Sequence, residues 1–462
     1  MQPDESRTGS YGGSRLTSEE ALPNLRAFDG RGHLADELEA IASDPRDAGI
    51  LEAIAEGADW MTDVLQQLVR ADTTLGNEEA GQSIVREVMR ELDLAPVDVR
   101  MDEAALRAHP LASPFDWETD GKANVVATWE SGAGADQGRS LILNGHIDVV
   151  SPEPMSQWGE RDPFGGEHEE GWVYGRGAAD MKCGLAAIFG AVRGLRRLGL
   201  SPGAPIVLES VVEEECSGNG TLQTLLSGYT ADAAVVAEPF GAAITTSQVG
   251  VLWFKVRITG VPGHAAEGRN ATNAIEKSLS VIQSLRALET EMNAAPPAPY
   301  DLFIAPITLN VGAIRGGDWA STVPGVCVTH YRIALYPGMR VAELQSRIEQ
   351  IVAEATADQP GVAEVAYGGF ATEGYDIADD HPVVTTLAGA FARQAGAPPA
   401  LVSTTGTTDA GIFGNAGGIP AVCFGPYAEH AHGVGERVYL PSVVQTAQVM
   451  GLMIRDWCGL SG

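Results

Sequence analysis

The chain has 462 residues, with 61 acidic against 30 basic side chains, a formal charge of −31 and 44% hydrophobic residues. That length is too great for one compact core and predicts two domains. The acidic balance argues against nucleic acid or an anionic membrane as partner, because both are held by clustered Lys and Arg.

No apolar run reaches the roughly 18 residues of a membrane span. The polar start, MQPDESRTGSYGGSR, lacks the apolar core of a secretory signal. Five cysteines without paired spacing make no disulfide framework. A cytoplasmic protein is expected.

Residues 1–20 read as a disordered tail. From about 34 to 95, stretches such as ADWMTDVLQQLVRA and GQSIVREVMRELDL carry apolar residues at three- and four-residue spacing and predict helices. NVVATW and SLILNGHIDVV then read as strands, GLAAIFGAVRGLRRLGL as a helix closed at Gly199, and APIVLESVVEEE as a strand. TLQTLLSGY follows as a helix and AAVVAE as a strand. Strands alternating with helices predict a mostly parallel-sheet α/β domain covered on both faces.

The pattern changes near residue 246. SQVGVLWFKVRITG reads as one strand, NATNAIEKSLSVIQSLRALETEMN as a helix, and ITLNVGAIRGG and VCVTHYRIALY as strands. RVAELQSRIEQIVAEATA is a helix and AEVAYGGF a strand. This order is ferredoxin-like α+β. It predicts an inserted domain, 246–368, within a first domain built from 1–245 and 369–462.

Five separated patches place polar residues at the ends of apolar runs, where strands deliver side chains to a sheet rim. In LILNGHIDVV, His146 and Asp148 fall on one strand face. One can ligate a metal while the other orients the imidazole; alone, the pair reads more readily as a buried histidine beside a carboxylate. Asp180, after the turn GRG, reads by itself as a helix N-cap. The run Glu213–Glu214–Glu215 reads by itself as a solvated loop. Adjacent residues on an extended chain point apart, however, so one of Glu214 and Glu215 can ligate while its neighbour handles a proton. Glu238 ends another apolar strand before Pro239. His432 lies in HAHGVGE with His430 as competitor. Jointly the patches supply two imidazoles and three carboxylates, enough for two metal ions, plus one spare carboxylate as base. Oxygen and nitrogen donors without thiolate suit zinc, with cobalt and manganese also suited.

In this order the patches resemble the M20 family of dinuclear metallohydrolases, with acetylornithine deacetylase/succinyl-diaminopimelate desuccinylase-like deacylases as the nearest type. GWVYGRGAADMK, GVPGHAAEGRNATNAIE, GTTDAG and GIPAVCFGP carry the likeness, which runs from about residue 60 to the C-terminus. The resemblance implies that His146 and Glu238 bind one ion, that Glu215 and His432 bind the other, and that Asp180 bridges them. Asp148 would orient His146. Glu214 would be the general base, taking a proton from the attacking water and passing it to the leaving nitrogen. The peptide bond after Asp180 is expected to be cis. His264 of the insert would reach across a homodimer to stabilise an oxyanion. Ser321 and Arg332 would contact substrate, although both depart from the family pattern: Ser321 stands where many relatives have Asn, and Arg332 lies two residues early. Cys183 stands where relatives usually have Gly.

The function implied is hydrolysis of an amide in an N-acylated amino acid or related small molecule. A carboxypeptidase or dipeptidase of the same family and a catalytically dead binding protein are the alternatives.

Overall fold

A computed structural model of the chain describes residues 45–132, 138–358 and 362–461. The expected tail, 1–20, and the start of the helical stretch at 34 lie outside them.

Nine strands form one large sheet. Its order is Val97–Arg100, Ala123–Trp129, Ile206–Val211, Leu141–His146, Ala233–Val236, Ala421–Cys423, Ala243–Gln248 and Tyr375–Asp376, with Ala400–Thr404 also paired to Ala243–Gln248. The sheet is mixed rather than mostly parallel. The four strands from Ile206–Val211 to Ala421–Cys423 run parallel, because helical crossovers return the chain in the same direction. The pairings that flank them are antiparallel. All six residues of Leu141–His146 are buried, as the continuous apolar run requires of a strand covered on both sides.

Helix Lys182–Arg197 packs against Leu440–Cys458, Ala58–Arg70 and Pro45–Ala55. A Cβ at Gly184, in its first turn, would lie 2.1 Å from the Ala237 carbonyl oxygen. Glycine there lets the helix start directly against the strand end that carries Glu238.

A second sheet of four antiparallel strands runs in the order Leu309–Gly316, Val326–Leu335, Gly250–Thr259, Ala363–Thr372. Its two helices, Ala274–Met292 and Val341–Ala355, pack on each other and on its strands. This is the ferredoxin-like arrangement. The single strand expected from SQVGVLWFKVRITG is in fact two strands: Ala243–Gln248 belongs to the large sheet and Gly250–Thr259 to the small one. At the crossing a Cβ on Gly250 would meet the Thr372 carbonyl oxygen at 2.3 Å. The outgoing and returning chains therefore touch backbone to backbone.

A small four-stranded sheet, Ala428–Glu429, Arg437–Tyr439, Trp172–Tyr174, Glu167–Glu169, was not legible in advance. It ties the loop around residue 432 to the turn before Asp180.

Candidate metal centre

Parallel strands direct their C-terminal ends to one edge, where an open α/β sheet forms its crevice. His146 ends its strand there, Glu214 follows Ile206–Val211, and Glu238 follows Ala233–Val236. Asp180 precedes helix Lys182–Arg197, and the bond between Asp180 and Met181 is cis. His432 enters from the small sheet on a loop with φ of +60°, a conformation that histidine tolerates better than bulkier residues.

These residues converge. Asp180 divides its two oxygens between the histidines: Oδ1 lies 3.0 Å from His146 Nε2 and Oδ2 lies 3.2 Å from His432 Nε2. Glu238 Oε1 is 3.7 Å from His146 Nε2, and Glu215 lies 2.9 Å from His432 Nε2. Two groups of potential metal ligands result, His146 with Asp180 and Glu238, and Asp180 with Glu215 and His432. His430 belongs to neither group. Glu214 also belongs to neither, yet its Oε2 stands 3.7 Å from His146 Nε2.

The electrostatics suit cations. Burial pushes the Glu214 and Glu238 carboxyls well above their usual range, and neighbouring carboxylates add to the shift. Burial opposes charge on His146 and His432 as well, but the carboxylates around them prevail, raising His146 well above its usual value and His432 to about 11. Carboxyls drawn to protons and imidazoles drawn to positive charge are what a bound cation would relieve.

The positioning of these groups was only partly readable. Asp148 does not turn its carboxylate squarely to His146. His146 Nδ1 pairs with the Asp148 main-chain carbonyl at 2.9 Å, and the nearer carboxylate oxygen is 3.8 Å away. The carboxylate instead accepts the Glu214 N–H at 3.2 Å and the Glu215 N–H at 3.0 Å. Burial raises its pKa to about 7.

Glu213 is fully buried, not solvated. It accepts from Lys122 Nζ at 2.9 Å, Trp117 Nε1 at 2.8 Å and Ser217 Oγ at 3.1 Å. Lys122 also pairs with buried Glu78 at 3.0 Å. This cluster anchors the start of the acidic run, so its next two residues can face the cleft.

Arg176 and Glu436 form a second buried pair. Glu436 Oε1 accepts the Ala179 and Asp180 N–H groups at 2.9 and 3.1 Å, which fixes the backbone under Asp180. Both residues sit in the quoted motifs GRGAAD and HAHGVGE, and that placement was the available clue. Cys183 is accommodated by turning Sγ to the Ala179 carbonyl at 3.0 Å.

A cleft of about 240 Å³ opens over the site. Asp180, Glu214, Glu215, Glu238, His432 and Arg332 all line it. His264 and Ser321 do not line this cleft of their own chain. His264 is exposed on a two-residue ribbon paired with Thr322–Val323, and the Ala265 N–H beside it donates to the Ser321 carbonyl at 3.0 Å.

Carboxylates and imidazoles gathered at the strand ends of an α/β sheet, beside a second ferredoxin-like unit, define a metal-dependent hydrolase. The chain belongs to peptidase family M20/M25/M40, whose model matches residues 142–456. It is 30% identical over 363 residues to N-formyl-4-amino-5-aminomethyl-2-methylpyrimidine deformylase of Halalkalibacterium halodurans, covering 73% of this chain and 83% of the relative. It is 30% identical to acetylornithine deacetylase of Proteus mirabilis, covering 74% and 84%. Human carnosine dipeptidase 1 shares the fold, with a TM-score of 0.70 over 89% of this chain and 99% of that one at 15% identity.

Proposed function

We propose that this protein is a dinuclear metal-dependent amidohydrolase that removes the acyl group from an N-acylated amino acid or a related small molecule. The observation that carries the reading is Asp180, whose two oxygens are shared between His146 and His432. His146, Asp180 and Glu238 would hold one divalent ion, and Asp180, Glu215 and His432 the other. Their donor chemistry favours zinc, with cobalt or manganese also suited. When bound, such a pair polarises an amide carbonyl and acidifies water.

The chain's own residues do the rest. Glu214 is buried, lines the cleft and stands outside both ligand groups. It is therefore the carboxylate available to take a proton from water and deliver it to the departing nitrogen, and its raised pKa suits that exchange. Asp148 holds the Glu214 and Glu215 amides. Arg332 offers a cation to an anionic group of the substrate. The cleft is small beside the roughly 300–1,000 Å³ of drug-sized ligand sites, which favours a substrate of acyl-amino-acid size over an oligopeptide.

In this reading 1–245 with 369–462 is the catalytic part, and 246–368 is the lid and dimerisation part. His264 and Ser321 would then serve the cleft of a second copy, completing a homodimeric site. Five unpaired, buried cysteines fit a cytoplasmic setting.

The test is metal analysis with Glu214→Gln. Two ions per chain should remain bound while kcat falls by about 10²–10⁴. Undiminished turnover would remove Glu214 from the role of base. Faster hydrolysis of dipeptides than of N-acyl amino acids would turn the reading to a dipeptidase.

A further inference from the structure

The cleft has a wall that bond hydrolysis alone leaves without a task. Val251, Trp253, Arg332 and Phe370 of the four-stranded sheet line it together with Phe240, which follows Glu238 closely. Trp253 and Arg332 are direct cross-strand partners, so their side chains stand next to each other on one face.

On the other side of Gly250–Thr259 the register slips. Leu252 pairs with Ala371 but Phe254 pairs with Tyr367. Gly368, Gly369 and Phe370 stand opposite the single residue Trp253 and form a bulge of the kind that re-aims side chains. Gly369 has φ of +87°, and a Cβ there would lie 2.4 Å from Trp253 Cε3. The indole is therefore seated against the Gly369 backbone. The Phe370 ring meets the indole edge-on, with centroids 5.6 Å apart at 73°. The Gly369 N–H donates to the Pro114 carbonyl at 2.6 Å, tying the bulge to the large-sheet half of the molecule.

We propose that Trp253, fixed by this bulge and by Phe370, determines specificity by receiving a flat apolar group of the substrate, an aromatic ring above all, while neighbouring Arg332 receives its carboxylate. This rests on the hydrolase reading and names its substrate class: N-acylated aromatic amino acids and their close analogues. A partly buried indole already locked in place offers a stacking surface with little ordering cost. A substrate whose side chain carries a second, protonated amine would bring that charge beside the Arg332 guanidinium and is disfavoured there.

The experiment measures kcat/KM of the full-length, metal-loaded protein on the N-formyl, N-acetyl and N-succinyl forms of phenylalanine, alanine and lysine. For the acyl group that is cleaved best, phenylalanine should exceed alanine by about tenfold or more. Trp253→Ala should bring that ratio near unity, mainly through KM. Trp253→Phe should keep most of it, and Gly369→Ala should erode it by displacing the indole. No phenylalanine preference in the wild type, or a ratio untouched by Trp253→Ala, overturns the proposal while leaving the hydrolase reading intact. Absence of hydrolysis of every compound overturns both.

Discussion

Replacing Asp148 by Asn separates the work of its main-chain carbonyl from that of its carboxylate. In the structure the ring of His146 is set by the main-chain carbonyl of Asp148, which the substitution leaves in place. The carboxylate holds two adjacent amides, those of Glu214 and Glu215. An asparagine can accept from one of them, but it turns an NH₂ toward the other, setting donor against donor in a buried place. A hydrogen bond to a charged group contributes about 1.5–3 kcal/mol, and an unmet buried donor costs a similar amount. A net loss of about 2–3 kcal/mol at the Glu214–Glu215 backbone corresponds to roughly 30- to 150-fold. Two readouts follow. Affinity for an ion at the proposed Glu215–His432 site should fall by that factor, while affinity for one at the proposed His146–Glu238 site changes little, as measured by titrating metal into chelator-stripped protein. Turnover should fall at saturating metal because Glu214 loses its placement. Equal weakening of both ions, or of neither, would refute this division of labour.

Lys122→Met leaves the Glu213 and Glu78 carboxylates buried without their cation, and should cost about 3–5 kcal/mol of stability in denaturant unfolding; a loss under 1 kcal/mol would mean the cluster is not an anchor. Glu209 is buried between strands, accepts from Asn144 at 3.1 Å, and has its pKa pushed up to about 8 by burial. An acid whose folded pKa is raised stays protonated in the fold while the unfolded chain ionises. Stability is therefore lost as pH climbs from about 4.5 to 8, by up to about 1.4 kcal/mol per unit. Glu209→Gln should flatten that part of the stability profile and gain on the wild type toward pH 8, and parallel profiles would contradict it. Removing metal with a chelator should abolish hydrolysis and lower the unfolding temperature, with zinc, cobalt or manganese restoring both; full activity in the stripped protein would exclude metal dependence.

The ends of buried strands were the legible part of the site. His146 and Glu238 each follow a continuous apolar run, and the geometry of parallel strands carries such ends to one edge. The groups that hold the ligands were less legible because their partners are distant in the chain. Glu213 looks like one of three solvated acids until Lys122, 91 residues earlier, closes on it. Arg176 meets Glu436 across 260 residues, and nothing local to either reveals the other. In the fold, reading SQVGVLWFKVRITG as one strand concealed a change of sheet, and Gly250 was its one local mark. The antiparallel flanks of the large sheet were also hidden, since strand direction depends on how the connections return.

The Arg176–Glu436 pair also sets an order of assembly. The amides beneath Asp180 are gripped by a side chain that is synthesised 256 residues after Asp180 itself, shortly after His432. A nascent polypeptide holds every strand of the large sheet and of the ferredoxin-like sheet before His432 and Glu436 have been added. A chain cut short before residue 432 would lack His432, Glu436 and also helix Leu440–Cys458, which packs against Lys182–Arg197, so it would lose a ligand, the grip on Asp180 and part of the core together.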